Sequence, residues 1–339
     1  MKRISFRFPV MVATIIIAYP FLARGEYLLS IGVLTGIYAI CAVANNLLLG
    51  ETGQISLGHA GFLGMGAYAT GILATAGMSP LLAMLVATVL TGAFGFLVGL
   101  TSIRLQHSHL AMATIAAQII FLELVLEWEP VTGGVYGFSG IPKFDIFGVS
   151  ITGAFFFYLV WAVVGLVILC NRNILHSRTG IGLAAVRDDE TAAASLGINT
   201  AWCKLQVFTL SALYIGFAGG LLAFDLGYVG HQSFSVHVSM VILSMVVLGG
   251  VRPYWAGIVG AVIVTILPEG LRWIAQLDSS SAMARAIATD YTYVLIVNGI
   301  LVIVFVMFLP NGVVGILRTL GKRGKVAKEG APRESVIGS

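Results

Sequence analysis

Charge is what this sequence has least of. Only 10% of its 339 residues are Asp, Glu, Lys or Arg, against about 25% in a soluble domain. That deficit excludes an ordinary water-soluble fold, whose surface needs polar cover. Cysteine is also scarce: Cys41, Cys170 and Cys203 stand far apart, which excludes a disulfide framework or a cysteine-built metal site. No nucleophile, base and orienting group fall into a recognisable set, which argues against a membrane enzyme. No chain of acids or histidines crosses the apolar runs at mid-depth, as an ion-coupled carrier would need. No cofactor is implied.

What the sequence has instead is apolar length. Hydrophobic residues make up 58% of the chain, and the mean hydropathy is +0.97. The apolar runs are about 20 residues long, which suits membrane-crossing helices rather than the shorter alternating strands of a barrel. The expected fold is an all-α polytopic membrane protein with about ten spans (8–10). We place them at 8–24, 27–49, 55–77, 80–102, 106–127, 150–171, 206–229, 236–251, 254–273 and 291–310. The segment 55–77 is rich in Gly and 236–251 is short, so both read as broken or tilted helices.

The net charge of +4 does not point to nucleic acid, because the cations sit between and beyond the apolar runs. With ten spans both termini share one side. Of the 19 Lys and Arg, only Arg24, Lys143, Arg272 and Arg285 then fall on the opposite side. That bias gives an N-in, C-in orientation. Lys2, Arg3 and Arg7 precede an apolar run without a small-residue cleavage site, so the run reads as a retained first span. Residues 1–320 form the membrane domain, and 321–339 a basic tail expected to be disordered in the cytosol, within reach of anionic lipid.

A weak internal repeat is visible. LLLG at 47–50 is followed by Gly58 and Gly61, and VVLG at 246–249 by Gly257 and Gly260, at a constant offset of 199. The richest stretch is NNLLLGETGQISLGHAGFLGMGAYATG, residues 45–71. Its Gly50 to Gly53, with Glu51 and Gln54, read as a helix break, and Gly58, Gly61 and Gly64 as a face for close helix approach. Two readings stand side by side: tight packing, or a discontinuity lining a pathway. The candidates are Asn46, Gly50, Gly53, Gln54, Ser56, Gly58, His59 and Gly61. Asp225, near an outer span end, joins them either as a shaper of the outer mouth or as a hydrogen-bond partner of the next helix. Glu269 and Arg272 are placed to pair.

The longest polar loop is 172–205. Within it DDETAAASLG, residues 188–197, has the pattern of a short helix. Asp188 or Asp189 is placed to cap it, acids suit its first turn, and Gly197 ends it. The segment GILRTLGKR, 315–323, is no phosphate loop: five residues separate Gly315 from Gly321, and Arg323 follows Lys322, where the motif needs four and then Ser or Thr. The chain therefore has no ATP site of its own.

Residues 46–71 resemble the signature region of the LivM-type permeases of branched-chain amino acid ABC importers. RTGIGLAAVRDDETAAASLGIN (178–199), LSALYIGFAGGLLAFDLGYVGHQSF (210–234), Val247-Leu248-Gly249-Gly250 and LPNGVVGI (309–316) resemble further parts of that family. His231 departs from it, standing where the family often has Pro. The resemblance implies a multi-pass protein of the bacterial inner membrane that passes branched-chain or other hydrophobic amino acids. Its partners would be a second, related permease in a heterodimer, two ATPase subunits and a periplasmic substrate-binding protein. It makes Arg187, Asp188, Asp189, Glu190, Thr191, Ala192, Ala193 and Gly197 the ATPase-coupling loop. A urea or amide importer of the same superfamily has a similar permease, and a self-contained secondary transporter is the remaining alternative.

Overall fold

The computed structural model describes residues 16–21, 25–102, 107–146, 149–277, 299–300, 303, 307 and 312–315. The expected spans 8–24 and 291–310 lie largely outside these residues, and the tail 321–339 wholly so. Within them the chain is helical, with four two-residue strands. The helices are α1 (Glu26–Thr52), α2 (His59–Thr75), α3 (Pro80–Ser102), α4 (His107–Glu127), α5 (Glu129–Thr132) and α6 (Ala154–Leu175). They continue with α7 (Arg178–Asp188), α8 (Glu190–Ser195), α9 (Thr200–Leu226), α10 (Val236–Gly249) and α11 (Ala256–Leu277).

Five of these, α1, α3, α4, α6 and α9, are long and apolar enough to cross a membrane, and α10 and most of α11 are shorter apolar helices. The chain is thus an all-α, multi-pass membrane protein. Burial divides the helices into two classes. The membrane windows of α1 and α9 are mostly buried, whereas those of α3, α4 and α6 are about one-third buried. A helix that is apolar all round and has protein on every side belongs at the centre of a bundle. The outer three bare leucines, isoleucines and phenylalanines such as Leu85, Ile120 and Phe155, as a lipid-facing surface does.

Close packing against the centre depends on absent side chains. A Cβ at Gly66 in α2 would run into the backbone of Gly216 in α9, and one at Gly219 into the carbonyl of Leu63. Without a hydrophobic drive between helices in lipid, such contact is what holds them together. On α1, Gly32 meets Phe157 and Gly36 meets Val160 of α6.

Several expected boundaries are corrected. The span drawn from 55 is without helix up to Gly58, because the Leu57 N–H bonds to a side chain of another helix rather than within its own (below). α6 runs on to Leu175, and α9 starts at Thr200, where the Asn199 side chain accepts from the Trp202 N–H at 3.0 Å. Residues 172–205 are therefore mostly helical rather than a plain loop. α10 is 14 residues long, about 21 Å, and is short of a bilayer core of about 30 Å.

Connecting segments meet in two separate groups. In the first, Phe138–Ser139 (β1) pairs antiparallel with Tyr228–Val229 (β4), and Asp145–Ile146 (β2) with Val149–Ser150 (β3). There too the Tyr27 hydroxyl donates to Glu269 at 2.6 Å, and Arg272 pairs with Glu269 at 3.2 Å. In the second, the ends of α1, α7 and α10 come together. Each group draws only on residues that the expected orientation assigns to one side.

Candidate functional site

α1 ends because Gly53 turns left-handed, with φ 68°, and its N–H bonds back to Leu49. Gly is the residue that adopts this conformation without strain. Residues 53–58 then run without helix until His59 opens α2. Inside a membrane such backbone must be satisfied by protein or water, and here protein supplies part of that. The Thr114 hydroxyl of α4 accepts from the Leu57 N–H at 3.1 Å. The Ser239 hydroxyl of α10 accepts from the Ala60 N–H at 2.9 Å and donates to Gln118 Oε1 at 2.8 Å. Gln118 Nε2 in turn donates to the Phe234 carbonyl at 2.7 Å. The N-terminus of α2, whose first N–H groups lack partners in their own helix, is thereby capped from α10.

The candidate residues gather here. Ser56, with no exposure, and His59, 1% exposed, are enclosed. His59 lies between the Ser56 carbonyl, 3.3 Å from Nδ1, and the Ser211 hydroxyl of α9, 3.1 Å from Nε2. A carbonyl only accepts, so a neutral ring with its proton on Nδ1 satisfies both contacts, with Ser211 donating to Nε2. Gln54 Oε1 lies 3.2 Å from the Thr52 hydroxyl, which donates to the Leu48 carbonyl at 2.7 Å. Gly58 lies against the Thr114 backbone, and a Cβ on Gly61 would sit 3.0 Å from the Gln118 side chain. The break is enclosed by tightly packed helices.

Asn46 and Gly50 face the other way, toward a second interruption between α10 and α11. Asn46 Nδ2 donates to the carbonyls of Gly250 and Pro253, both at 3.2 Å. A Cβ on Gly50 would sit 2.6 Å from the Val251 carbonyl, and the Arg252 guanidinium donates to the Gly50 carbonyl at 3.4 Å. The two interruptions stand back to back, with the last turn of α1 between them. Asp225 is not part of this site. It lies half-buried in the last turn of α9 and, among the described residues, makes no hydrogen bond to the following helix.

The 188–197 segment is α8 with its flanks. Asp189 is the cap: its carboxylate accepts from the N–H groups of Thr191 at 2.8 Å and Ala192 at 2.9 Å. Gly197, with φ +82°, follows the last turn. Thr191 and Ala192 are exposed while Ala193 is buried. Glu190 pairs with Lys204 of α9, and Arg187 pairs with both Asp188 and Glu51.

Sequence reading missed the residues that hold the break: Thr114, Gln118, Ser211 and Ser239. Their signal was single polar side chains inside otherwise apolar helices, with Thr114 and Gln118 four apart on one face of α4. It placed Glu51 in the helix break without a partner, and used Lys204 and Arg252 only for the charge bias.

Comparison with known proteins supplies the context. A family model described as "Branched-chain amino acid transport system / permease component" matches residues 27–316. The chain is 32% identical over 291 residues to the high-affinity branched-chain amino acid transport system permease protein LivM of Escherichia coli K12, covering 78% of this chain and 68% of that one. The Salmonella typhimurium LivM is 32% identical over 284 residues, covering 76% and 66%. The chain thus spans about two thirds of the length of these relatives. The autoinducer 2 import system permease protein LsrC of Salmonella typhimurium is 26% identical over 298 residues, covering 84% and 81%. No solved structure matches significantly.

Proposed function

Because the chain belongs to the family of branched-chain amino acid transport system permease components, we propose that it is the permease subunit of an ATP-binding cassette importer for branched-chain or other hydrophobic amino acids. It would lie in the bacterial inner membrane with about ten spans and both ends inside. The observation that carries this reading is the family match across nearly the whole membrane domain, at 32% identity to two LivM proteins.

The geometry supports a mechanism. Two ATPase subunits bind the α7–α8 loop from the cytosol, and a second, related permease completes the pathway. A periplasmic binding protein delivers the solute. The ATPases move between two arrangements, and the permease follows to the extent that they bind its two states differently. The last turn of α1 is tied to the loop through Arg187 and to both interruptions through Gly50, Asn46 and Gly53, so a shift of the loop reaches the points where the helices are already broken. Six hydrogen-bonded residues without helix give way more readily than a continuous helix.

The LsrC similarity favours a second reading of the cargo. A permease 26% identical to an autoinducer 2 import permease shares its scaffold with a transporter whose solute is not an amino acid. A urea or amide cargo is the further alternative that the sequence resemblance leaves.

Uptake of radiolabelled leucine into vesicles tests the reading. The purified chain alone is expected to move none against a gradient. With its permease partner, ATPases, binding protein and ATP it accumulates leucine, and excess isoleucine or valine competes. Uphill uptake by the chain alone would establish a self-contained carrier instead. ATP-driven assemblies that ignore leucine but accept another solute would keep the mechanism and replace the cargo.

A further inference from the structure

The α7–α8 loop is joined to the membrane helices by two ion pairs of different reach. Lys204 and Glu190 are only 14 residues apart, and they tie α8 to the helix that follows it. Arg187 and Glu51 are 136 residues apart, and their pair, 3.1 Å long, ties α7 to α1. Arg187 divides its guanidinium: Nε and Nη2 hold Asp188 at 3.0 and 2.8 Å, leaving Nη1 for Glu51.

Glu51 is oddly placed for a structural carboxylate. It is the penultimate residue of α1, where the helix dipole presents partial negative charge and a cation would be favoured. Its side chain is 13% exposed and that of Arg187 21%, so the pair is shielded, unlike ordinary surface pairs that contribute little. The residue before it, Gly50, gives its carbonyl to Arg252 of the second interruption. The residue after it, Thr52, anchors the helix end by donating to the Leu48 carbonyl at 2.7 Å and leads directly into Gly53, where the first begins. Glu51 is thus the point at which the loop meets both broken segments.

We propose that Glu51 is a positioning residue for transport, and that through Arg187 it passes movement of the loop to the last turn of α1 and from there to both interruptions. The proposal rests on the ATP-driven reading above. Among the described residues Glu51 makes no hydrogen bond or ion pair to α8 or its Asp189 cap, so its loss leaves the surface offered to the ATPases in place, with Arg187 still held by Asp188.

The test measures ATP hydrolysis and radiolabelled leucine uptake on the same vesicles holding the whole assembly. Glu51→Ala is expected to leave hydrolysis within about twofold of the parent and to lower leucine moved per ATP about tenfold. Glu51→Asp, which keeps the charge on a shorter arm, is expected to recover at least about a third of that ratio. An unchanged ratio in Glu51→Ala overturns the proposal. So does a parallel fall of hydrolysis, uptake and thermal unfolding midpoint, which marks a structural staple, or a Glu51→Asp variant no better than Glu51→Ala. If the parent assembly takes up leucine without ATP, the function reading itself fails, a result distinct from all of these.

Discussion

Between α1 and α2 the chain leaves helix for six residues, 53–58, and between α10 and α11 it does so again for six, 250–255. The repeat at offset 199 relates the two segments, yet the second break begins two residues earlier than the offset places it. Gly58 stands just before α2, whereas Gly257 lies inside α11 and packs on the backbone of Ala42. The first break, GQISLG, sets Ile55 and Leu57 among small and polar residues, and α4, α9 and α10 hold it or the adjoining start of α2 by hydrogen bonds. The second, GVRPYW, is bulky and partly exposed, and its contacts run chiefly to the end of α1. The same architectural event has thus been built once as an enclosed core element and once as its outer clamp. The difference predicts that damage to the first is structural and damage to the second affects motion.

The largest expected effect is at Gly58. Gly58→Leu drives a side chain into the Thr114 backbone and should cost at least about 3 kcal/mol, seen as loss of the monodisperse peak in detergent. Gly61→Leu meets the Gln118 side chain, which can shift, and should cost about 1–3 kcal/mol in a thermal unfolding series. Next comes Gln118→Leu, which strips partners from Ser239 and the Phe234 carbonyl. Leaving buried polar groups unpaired costs about 1–3 kcal/mol, and Ser239→Ala in the same chain should add less than it does alone. Asn46→Ala frees two carbonyls of the second break at a cost of about 1–2 kcal/mol, and should alter uptake more than the Gln118 change does at equal stability. Arg252→Ala is the smallest, under about 1 kcal/mol, because its bonds are long and the residue is exposed. If Arg252→Ala destabilised more than Gly58→Leu, the division of labour between the two breaks would be reversed.

How much of this was legible in the sequence varies with the physics of each segment. Residues 80–102 and 106–127 were drawn within a residue of α3 and α4, because a continuous apolar run of bilayer length has few alternatives to helix. The short helix at 188–197 was visible through local chemistry: an acid that caps, small residues, and a Gly to finish. The start of α2 was misplaced at 55, since apolar periodicity does not register that Thr114 and Ser239, far along the chain, take over the hydrogen bonds of Leu57 and Ala60. The same reason hid the partners of Glu51 and Arg252. A single charge at the end of an apolar run looks like a boundary marker until a residue 136 or 202 positions away is brought beside it. The glycines announced close packing, but not which helix each would meet.

The central claim is that the two breaks, joined through the end of α1, respond together to the ATP-driven loop. Ile55 and Val251 lie one in each break and are each 38% exposed, so both accept spin labels once Cys41, Cys170 and Cys203 are replaced by Ala. The distance between labels at these two positions, measured in the complete assembly with and without trapped ATP, tests the claim directly. A shift of several ångströms in the distance distribution, lost in Glu51→Ala, is the expected result. An unchanged distribution in an assembly that still imports leucine would contradict it.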